Sequence, residues 1–208
     1  MSLDSDPEQK GEKMKNLVIF ASGNGSNAEN VCRYFHSSRD VKVAAVFCNN
    51  PEAGVIPKMK ALGIPVEVFD RKTFKDEVAF PALLEKYSPD LIALLGFLWL
   101  MPSHLVEKYQ RKILNLHPAL LPKHGGKGLY GYHVHRSVLE AGDEVTGITI
   151  HWIDDKYDEG ELIFQARTKV DRKDTPEDLA RKIWALEKEH VPRILEKILA
   201  EKSGLGNS

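Results

Sequence analysis

The sequence of 208 residues contains only two cysteines, Cys32 and Cys48, and has no excess of charge of either sign. The cysteines show neither CxxC nor zinc-type spacing, which excludes a disulfide framework and a cysteine zinc site. Both lie in apolar segments, so we expect two buried thiols in a reducing compartment. The formal net charge of −1 provides no overall field that would attract nucleic acid or an anionic membrane. Any anion that binds must therefore be held by a local arrangement of groups.

Long hydrophobic runs are also missing. The longest apolar stretch, residues 91–101, is too short to cross a bilayer. The polar N-terminus lacks the apolar region of a signal peptide. We therefore expect a cytoplasmic protein with no membrane or nucleic-acid partner. Its expected parts are a polar leader (residues 1–13), one compact domain (14–201) and a C-terminal tail (202–208).

The first half alternates short apolar runs with helix-like segments. We predict strands over residues 16–21, 41–48, 64–69 and 90–97, and helices over 27–36, 52–62, 74–87 and 102–109. This order predicts an α/β fold, a mostly parallel Rossmann-like sheet with helices on both faces. Sheets of this kind bind ligands at the carboxyl ends of their strands.

The second half has a different pattern. We predict strands over residues 112–116, 145–153 and 161–170, and helices over 133–141 and 175–201. The last two strands are expected to form an antiparallel addition to the sheet. A capping pattern, Thr175-Pro176-Glu177-Asp178, opens a long amphipathic C-terminal helix.

A glycine-rich motif, Gly23-Asn24-Gly25-Ser26-Asn27, follows the first predicted strand and precedes a helix. Ser26 or Asn27 is the expected N-cap. Glycines let the backbone approach a ligand, and the free N–H groups and dipole at a helix start favour an anion. The motif is neither GxGxxG nor a Walker loop, because the third glycine and the GK[ST] sequence are absent. A phosphate site is expected here, and a plain tight turn is the alternative.

Asn115 and His117 lie at the end of a later predicted strand. Because side chains alternate along a strand, both point to the same side. An amide can donate to a developing oxyanion, and an imidazole can act as acid or base. Taken alone, an Asn-x-His pair more often has a structural role.

An acidic loop, residues 154–160, follows about 40 residues later and contains Asp158. A carboxylate near a histidine raises its pKa and fixes its orientation. The alternative is a solvated turn; the pattern of a calcium loop is not matched. His124, His133 and His135 flank a glycine-rich stretch, but without a carboxylate or cysteine at suitable local spacing we expect no metal site. A role in contacting a ligand or anchoring the loop is expected instead.

Taken together, these segments resemble the phosphoribosylglycinamide formyltransferases, folate-dependent enzymes of purine synthesis. The segments are SGNGSN, GFLWLMP, ILNLHPALLPK, HVHRSVLEAG, TGITIHWIDDKYDEGELIFQ and a C-terminal EH pair, and the resemblance extends over about residues 15–198. It implies the formyltransferase fold and formyl transfer from 10-formyltetrahydrofolate to glycinamide ribonucleotide. It implies no metal and only small-molecule partners, with a monomer or a homodimer left open.

The resemblance also implies individual roles. Asn115 and His117 would stabilise the oxyanion, while Asp158 would keep His117 cationic and help relay a proton through water. The nucleotide substrate would be bound by Gly25, Ser26 and Asn27 at its phosphate and by Glu189 of the EH pair. The folate pocket would be lined by Leu98, Trp99, Leu100 and Met101, with Asn115 and backbone groups of Asp154, Asp155, Lys156, Tyr157 and Asp158 completing it.

The chain departs from the family pattern near the expected folate site. An arginine is expected where residues 75–80 read KDEVAF, and Arg71 or Lys72 are the candidates to replace it. The acidic loop reads Asp158-Glu159-Gly160, with an extra carboxylate.

Two further departures concern the substrate side. The stretch HGGKGLYGY, residues 124–132, is longer than the short Pro-Gly link of the family, and Lys127 within it is a candidate for a further phosphate contact. The EH pair is followed at once by Val191-Pro192, closer than the family pattern predicts.

Three alternatives remain at this stage. A formyl-folate hydrolase carries an additional N-terminal regulatory domain, and a methionyl-tRNA formyltransferase carries a C-terminal RNA-binding domain. The sequence leaves little length for either, and its charge does not favour RNA. A non-catalytic nucleotide-binding module would need the glycine-rich motif but neither the Asn-x-His pair nor the acidic loop.

Overall fold

The computed structural model describes residues 13–154 and 156–204. Most of the expected polar leader, the end of the expected tail, and Asp155 lie outside the described residues. The strands are β1 Lys15–Ala21, β2 Val41–Cys48, β3 Val66–Val68, β4 Leu91–Leu94, β5 Ile113–His117, β6 Val145–Trp152 and β7 Leu162–Lys169. The helices are α1 Ser26–Phe35, α2 Val55–Ala61, α3 Arg71–Phe74, α4 Ala79–Glu85, α5 Ser103–Lys108, α6 Tyr132–Glu140 and α7 Pro176–Gly204.

All seven strands form one sheet in the order β3-β2-β1-β4-β5-β6-β7. Neighbouring strands from β3 to β5 pair in parallel, whereas β6 is antiparallel to β5 and β7 is antiparallel to β6. The predicted α/β class and its antiparallel addition are therefore confirmed. The chain moves outward from β1 to β2 and β3, then returns to place β4 on the other side of β1. This change of direction creates a crevice at the carboxyl ends of β1 and β4.

Two hydrophobic clusters cover the two faces of the sheet. Along β1, Leu17, Ile19 and Ala21 face one cluster, which includes residues of α1 and α7. Val18 and Phe20 face the other, which is rich in phenylalanine and packs against α4 and α5. A central strand buried on both faces has no polar side, which explains its uninterrupted apolar sequence.

The predicted helix over residues 74–87 is wrong. The chain instead forms the short helices α3 and α4, separated at residues 75–78. The Asp76 carboxylate accepts hydrogen bonds from the backbone N–H groups of Val78 (2.9 Å) and Ala79 (2.8 Å). Because the Asp76 side chain accepts from these first N–H groups, a new helix, α4, begins here and α3 does not continue.

The capping pattern before α7 is confirmed. The Asp178 carboxylate accepts from the backbone N–H of Thr175 (2.8 Å), and the Thr175 hydroxyl accepts from the backbone N–H of Asp178 (3.2 Å). These reciprocal bonds satisfy otherwise free donors at the helix start. The helix α7 then packs against α1, α6, β6 and β7. Among the described residues, none of the helices has the length and apolar character needed to span a membrane.

Candidate active site

The turn after β1 leads directly into the crevice. Gly25 has a φ of 71°, and a Cβ at this position would lie 2.4 Å from the Val55 side chain. Only glycine fits both the left-handed backbone and this close approach. Gly25 also occupies the N-cap position of α1, so the expected N-cap at Ser26 or Asn27 is wrong. No side chain caps this helix start, which leaves its backbone donors available to a ligand.

Asn115, His117 and Asp158 converge at the carboxyl end of β5. Asn115 Nδ2 donates to Asp158 Oδ1 at 3.2 Å, and His117 Nδ1 lies 3.5 Å from Asp158 Oδ2. The side chains of His117 and Asp158 are 4% and 9% exposed. The strand period predicted that Asn115 and His117 share a face, and the structure brings Asp158 between them.

His151 completes this group, although the sequence analysis did not select it. It lies opposite Asn115 in the β5–β6 ladder, and its Nε2 is 3.2 Å from Asn115 Nδ2. His151 Nδ1 lies 2.9 Å from the carbonyl of Trp152, which can only accept, so Nδ1 carries a hydrogen. In the neutral ring, Nε2 is therefore an acceptor that orients the Asn115 amide.

The glycine-rich loop lies close to Asp158 and donates a hydrogen bond to it. The backbone N–H of Gly126 donates to Asp158 Oδ2 at 2.9 Å, and a Cβ at Gly125 would lie 3.1 Å from the Asp158 Cβ. Burial opposes ionisation of Asp158, but contacts with His151, His117 and the Gly126 N–H more than offset it. The pKa of Asp158 is therefore lowered, and the carboxylate is ionised near neutral pH.

The charge of His117 differs from the expectation. Burial lowers the pKa of His117, and the Asp158 carboxylate and the His124 carbonyl offset only part of this effect. This shift favours the neutral imidazole, whereas the resemblance implied a cation.

Glu189 does not face this site. Its side chain is 56% exposed and lies 3.6 Å from Arg193 on the outer surface of α7. Glu187, two residues earlier, lines the cavity beside Asn115 and His117 and accepts a hydrogen bond from Asn27 Nδ2 at 2.8 Å. Burial raises the pKa of Glu187 to about 7. Two residues along a helix turn a side chain by about 200°, so Glu187 faces the cavity and Glu189 does not.

The cavity beside Asn115, His117 and Asp158 has a volume of about 390 Å³. It is lined by Asn115, His117 and Asp158, by Asn27 and Glu187, and by the glycine-rich loop including Lys127 and Tyr130. Leu98 lines this cavity rather than the expected folate pocket.

A second, narrower pocket of about 40 Å³ lies on the other side of Asn115 and Asp158. Its lining contains the remaining described residues expected to bind folate, namely Trp99, Leu100, Met101, Asp154, Lys156 and Tyr157. Arg71, Lys72 and Lys75 are all exposed, and the Arg71 guanidinium stacks 4.7 Å from the centre of the Trp99 ring. Arg71 is thus placed beside the pocket that the missing arginine would serve.

The three histidines around the glycine-rich stretch make contacts within the protein. His124 is bonded to neighbouring side chains, His133 packs edge-on against Tyr130, and His135 is buried on α6. Within residues 13–154 and 156–204, no cluster of three or more His, Cys, Asp or Glu side chains is arranged to hold a metal ion.

Comparison with known proteins agrees with this geometry. A family model described as "Formyl transferase" matches residues 15–195. The chain is similar to the chloroplastic phosphoribosylglycinamide formyltransferase of Arabidopsis thaliana, with 39% identity over 186 residues, 86% of this chain and 62% of that protein. It spans 97% of the enzyme of the same name from Bacillus subtilis (strain 168), with 36% identity over 93% of this chain.

Solved structures show the same relationship. The crystal structure of phosphoribosylglycinamide formyltransferase from Anaplasma phagocytophilum superimposes with a TM-score of 0.83 at 33% identity, covering 91% of this chain and 89% of that chain. The corresponding structure from Brucella melitensis has a TM-score of 0.80 at 36% identity and covers 90% and 97%. Because the family model matches most of its length, this chain belongs to the formyl transferase family.

Proposed function

We propose that this protein transfers a formyl group from 10-formyltetrahydrofolate to the amine of glycinamide ribonucleotide. The observation that carries the proposal is the convergence of Asn115, His117 and Asp158 on one cavity wall at the carboxyl end of β5. A cavity that binds a nucleotide without reacting with it has no need for an amide and a base that each lie within 3.5 Å of one carboxylate.

The phosphate of the nucleotide substrate is assigned to Gly25, Ser26 and Asn27. The uncapped start of α1 offers backbone donors and the positive end of a helix dipole. Lys127 lines the same cavity as Asn27, and its ammonium adds a positive charge on the glycine-rich loop.

Glu187 is assigned to the ribose part of the same substrate. The carboxyl group is oriented by Asn27 and faces the cavity. With a pKa of about 7, it is available both as an acceptor and as a donor near neutral pH, which suits a hydroxyl-bearing ligand.

The folate co-substrate is assigned to the pocket beside Trp99. Its lining combines apolar side chains with the polar groups of Asp154, Lys156 and Asp158, which suits a flat heterocycle. The Arg71 guanidinium over Trp99 replaces the missing arginine as the partner for a carboxylate of the folate.

The chemistry follows from the contacts of the catalytic group. When the amine attacks the formyl carbon, negative charge develops on the formyl oxygen and the amine must lose a proton. Both hydrogen bonds of Asn115 Nδ2 are 3.2 Å long, somewhat longer than the usual 2.9–3.0 Å, so one hydrogen can be redirected to the oxygen. A neutral imidazole beside a carboxylate accepts the proton, since the resulting cation is then paired with Asp158.

Steady-state release of tetrahydrofolate tests this proposal. We expect the rate to depend on glycinamide ribonucleotide and to saturate with both substrates. Release at the same rate without the amine would indicate a formyl-folate hydrolase, and release only with methionyl-tRNA would indicate the tRNA enzyme.

A further inference from the structure

His124 is a residue of the glycine-rich loop whose position the proposed roles leave unexplained. Its φ is 61°, a left-handed conformation that is uncommon for a residue other than glycine. In this conformation the His124 carbonyl lies 2.8 Å from Nε2 of the catalytic His117. An unusual backbone conformation is thus maintained at a point of direct contact with the catalytic base.

The His124 side chain is held at both ring nitrogens. Nδ1 lies 2.6 Å from the hydroxyl of Ser137 on α6, and Nε2 lies 2.7 Å from Asp143 Oδ2 in the turn before β6. Only 9% of the ring is exposed. Asp143 is also paired with Lys123, and the contacts with Lys123 and His124 lower the pKa of its carboxyl group. The ring is therefore clamped between two elements that lie outside the cavity lining.

The contact with the His124 carbonyl determines where His117 carries its hydrogen. A carbonyl only accepts hydrogen bonds, so Nε2 of His117 must be protonated. In the neutral ring, Nδ1 then has a free lone pair, which faces Asp158 Oδ2 at 3.5 Å. Without the carbonyl, the carboxylate would favour the opposite tautomer, with the hydrogen on Nδ1 directed at Asp158.

We propose that His124 is a positioning residue: its side chain, clamped by Ser137 and Asp143, holds the carbonyl that keeps His117 in the Nε2–H tautomer. The lone pair of Nδ1 is then ready to receive the proton that the attacking amine loses. In that step the amine N–H bond breaks, its electron pair stays on nitrogen, and a new N–H bond forms at Nδ1. The catalytic consequence rests on the proposed function, whereas the tautomer does not.

The test combines NMR of the histidine rings with kinetics. The double variant Ser137→Ala/Asp143→Ala releases both ring nitrogens of His124 without altering a cavity residue. Lys123→Ala is the matched control, because it removes the other partner of Asp143 and leaves the clamp intact. Long-range ¹H–¹⁵N spectra of the substrate-free protein distinguish the two neutral tautomers, and the signals of His117 are assigned as those missing from His117→Asn.

We expect the Nε2–H tautomer in the wild type and in Lys123→Ala, and a shift toward the Nδ1–H tautomer in the double variant. General acid–base catalysis contributes roughly 10²–10⁴-fold, so partial loss of the correct tautomer is expected to lower kcat about tenfold. Both KM values are expected to stay within about twofold, because no substrate contact is removed.

His124→Gly provides a second variant if the double variant does not fold. Glycine adopts the left-handed backbone without strain but lacks the clamped ring, so the same tautomer shift is expected. An Nδ1–H tautomer in the wild type, or an unchanged tautomer and kcat in both variants, would overturn the proposal. A protein that shows the expected tautomers but transfers no formyl group to glycinamide ribonucleotide would instead refute the proposed function.

Discussion

Glu187→Gln is the substitution whose effect can be worked out most fully from the structure. The Glu187 carboxyl group has its pKa raised from 4.5 to about 7 by burial beside the cavity, and Asn27 donates to it. A glutamine keeps the shape of the side chain and an oxygen that can accept the same hydrogen bond. The substitution therefore removes the titration while leaving the packing nearly unchanged.

The sign of the effect follows from proton linkage. Between the unfolded pKa of 4.5 and the folded pKa of about 7, the native protein retains a proton that the unfolded chain has lost. The free energy of unfolding of the wild type therefore falls as the pH rises through this window and is constant above it. A shift of this size corresponds to about 3 kcal/mol at most, part of which is screened by water in the open cavity.

Urea denaturation followed by tryptophan fluorescence measures this effect. The stability of Glu187→Gln relative to wild type should increase by about 2–3 kcal/mol from about pH 4.5 to about pH 8.5. Glu189→Gln is the matched control; because Glu189 is exposed on the same helix, its relative stability should change by less than about 0.5 kcal/mol over that range. A parallel pH dependence of wild type and Glu187→Gln would refute the reasoning that Glu187 is the buried carboxyl group of the site.

Three further substitutions test the assigned roles. His117→Ala should lower kcat by about 10²-fold or more, while its circular dichroism spectrum should match that of the wild type. A wild-type rate would remove His117 from the mechanism. Asp158→Asn should move the acidic limb of the pH–rate profile to lower pH, because Asp158 raises the pKa of His117; an unchanged limb would contradict this coupling. Lys127→Ala should raise the KM for glycinamide ribonucleotide about tenfold. Lys42 is exposed near the amino end of β2, so Lys42→Ala should leave this KM unchanged. The same KM in both variants would exclude a contact between Lys127 and the phosphate.

The sheet and the shared face of Asn115 and His117 could be predicted because they depend on local patterns. The run of residues 16–21 is apolar on both faces, as a central parallel strand requires, and it was assigned to within one residue of β1. Asn115 and His117 share a face because of the two-residue period of a strand, which the sequence displays directly.

Helix boundaries were less predictable, since they depend on which side chain binds which backbone donor. Asp76 was included within a single helix, but its carboxylate starts a new one at residues 78–79. At the glycine turn, Ser26 and Asn27 are good N-caps by propensity, yet contact with Val55 fixes Gly25 in that position. Both outcomes depend on contacts that propensities do not contain.

The site residues that sequence reasoning missed are those brought in by tertiary pairing. His151 is adjacent to Asn115 only through the register of the antiparallel β5–β6 ladder. The two-residue spacing of Thr149 and His151 indicates that both side chains lie on one face of β6. It does not indicate which residues of β5 lie opposite them. Glu187 and Glu189 are the same type of residue, so the sequence does not distinguish them. Only the packing of α7 against α1 shows which of the two faces Asn27.

The fate of the formyl group in a single turnover tests the central claim most directly. With excess protein and the co-substrate labelled with ¹³C in its formyl group, the proposal predicts that the label appears on the amine of glycinamide ribonucleotide in a one-to-one ratio with the tetrahydrofolate released. Label recovered as free formate, with the nucleotide unchanged, would contradict it.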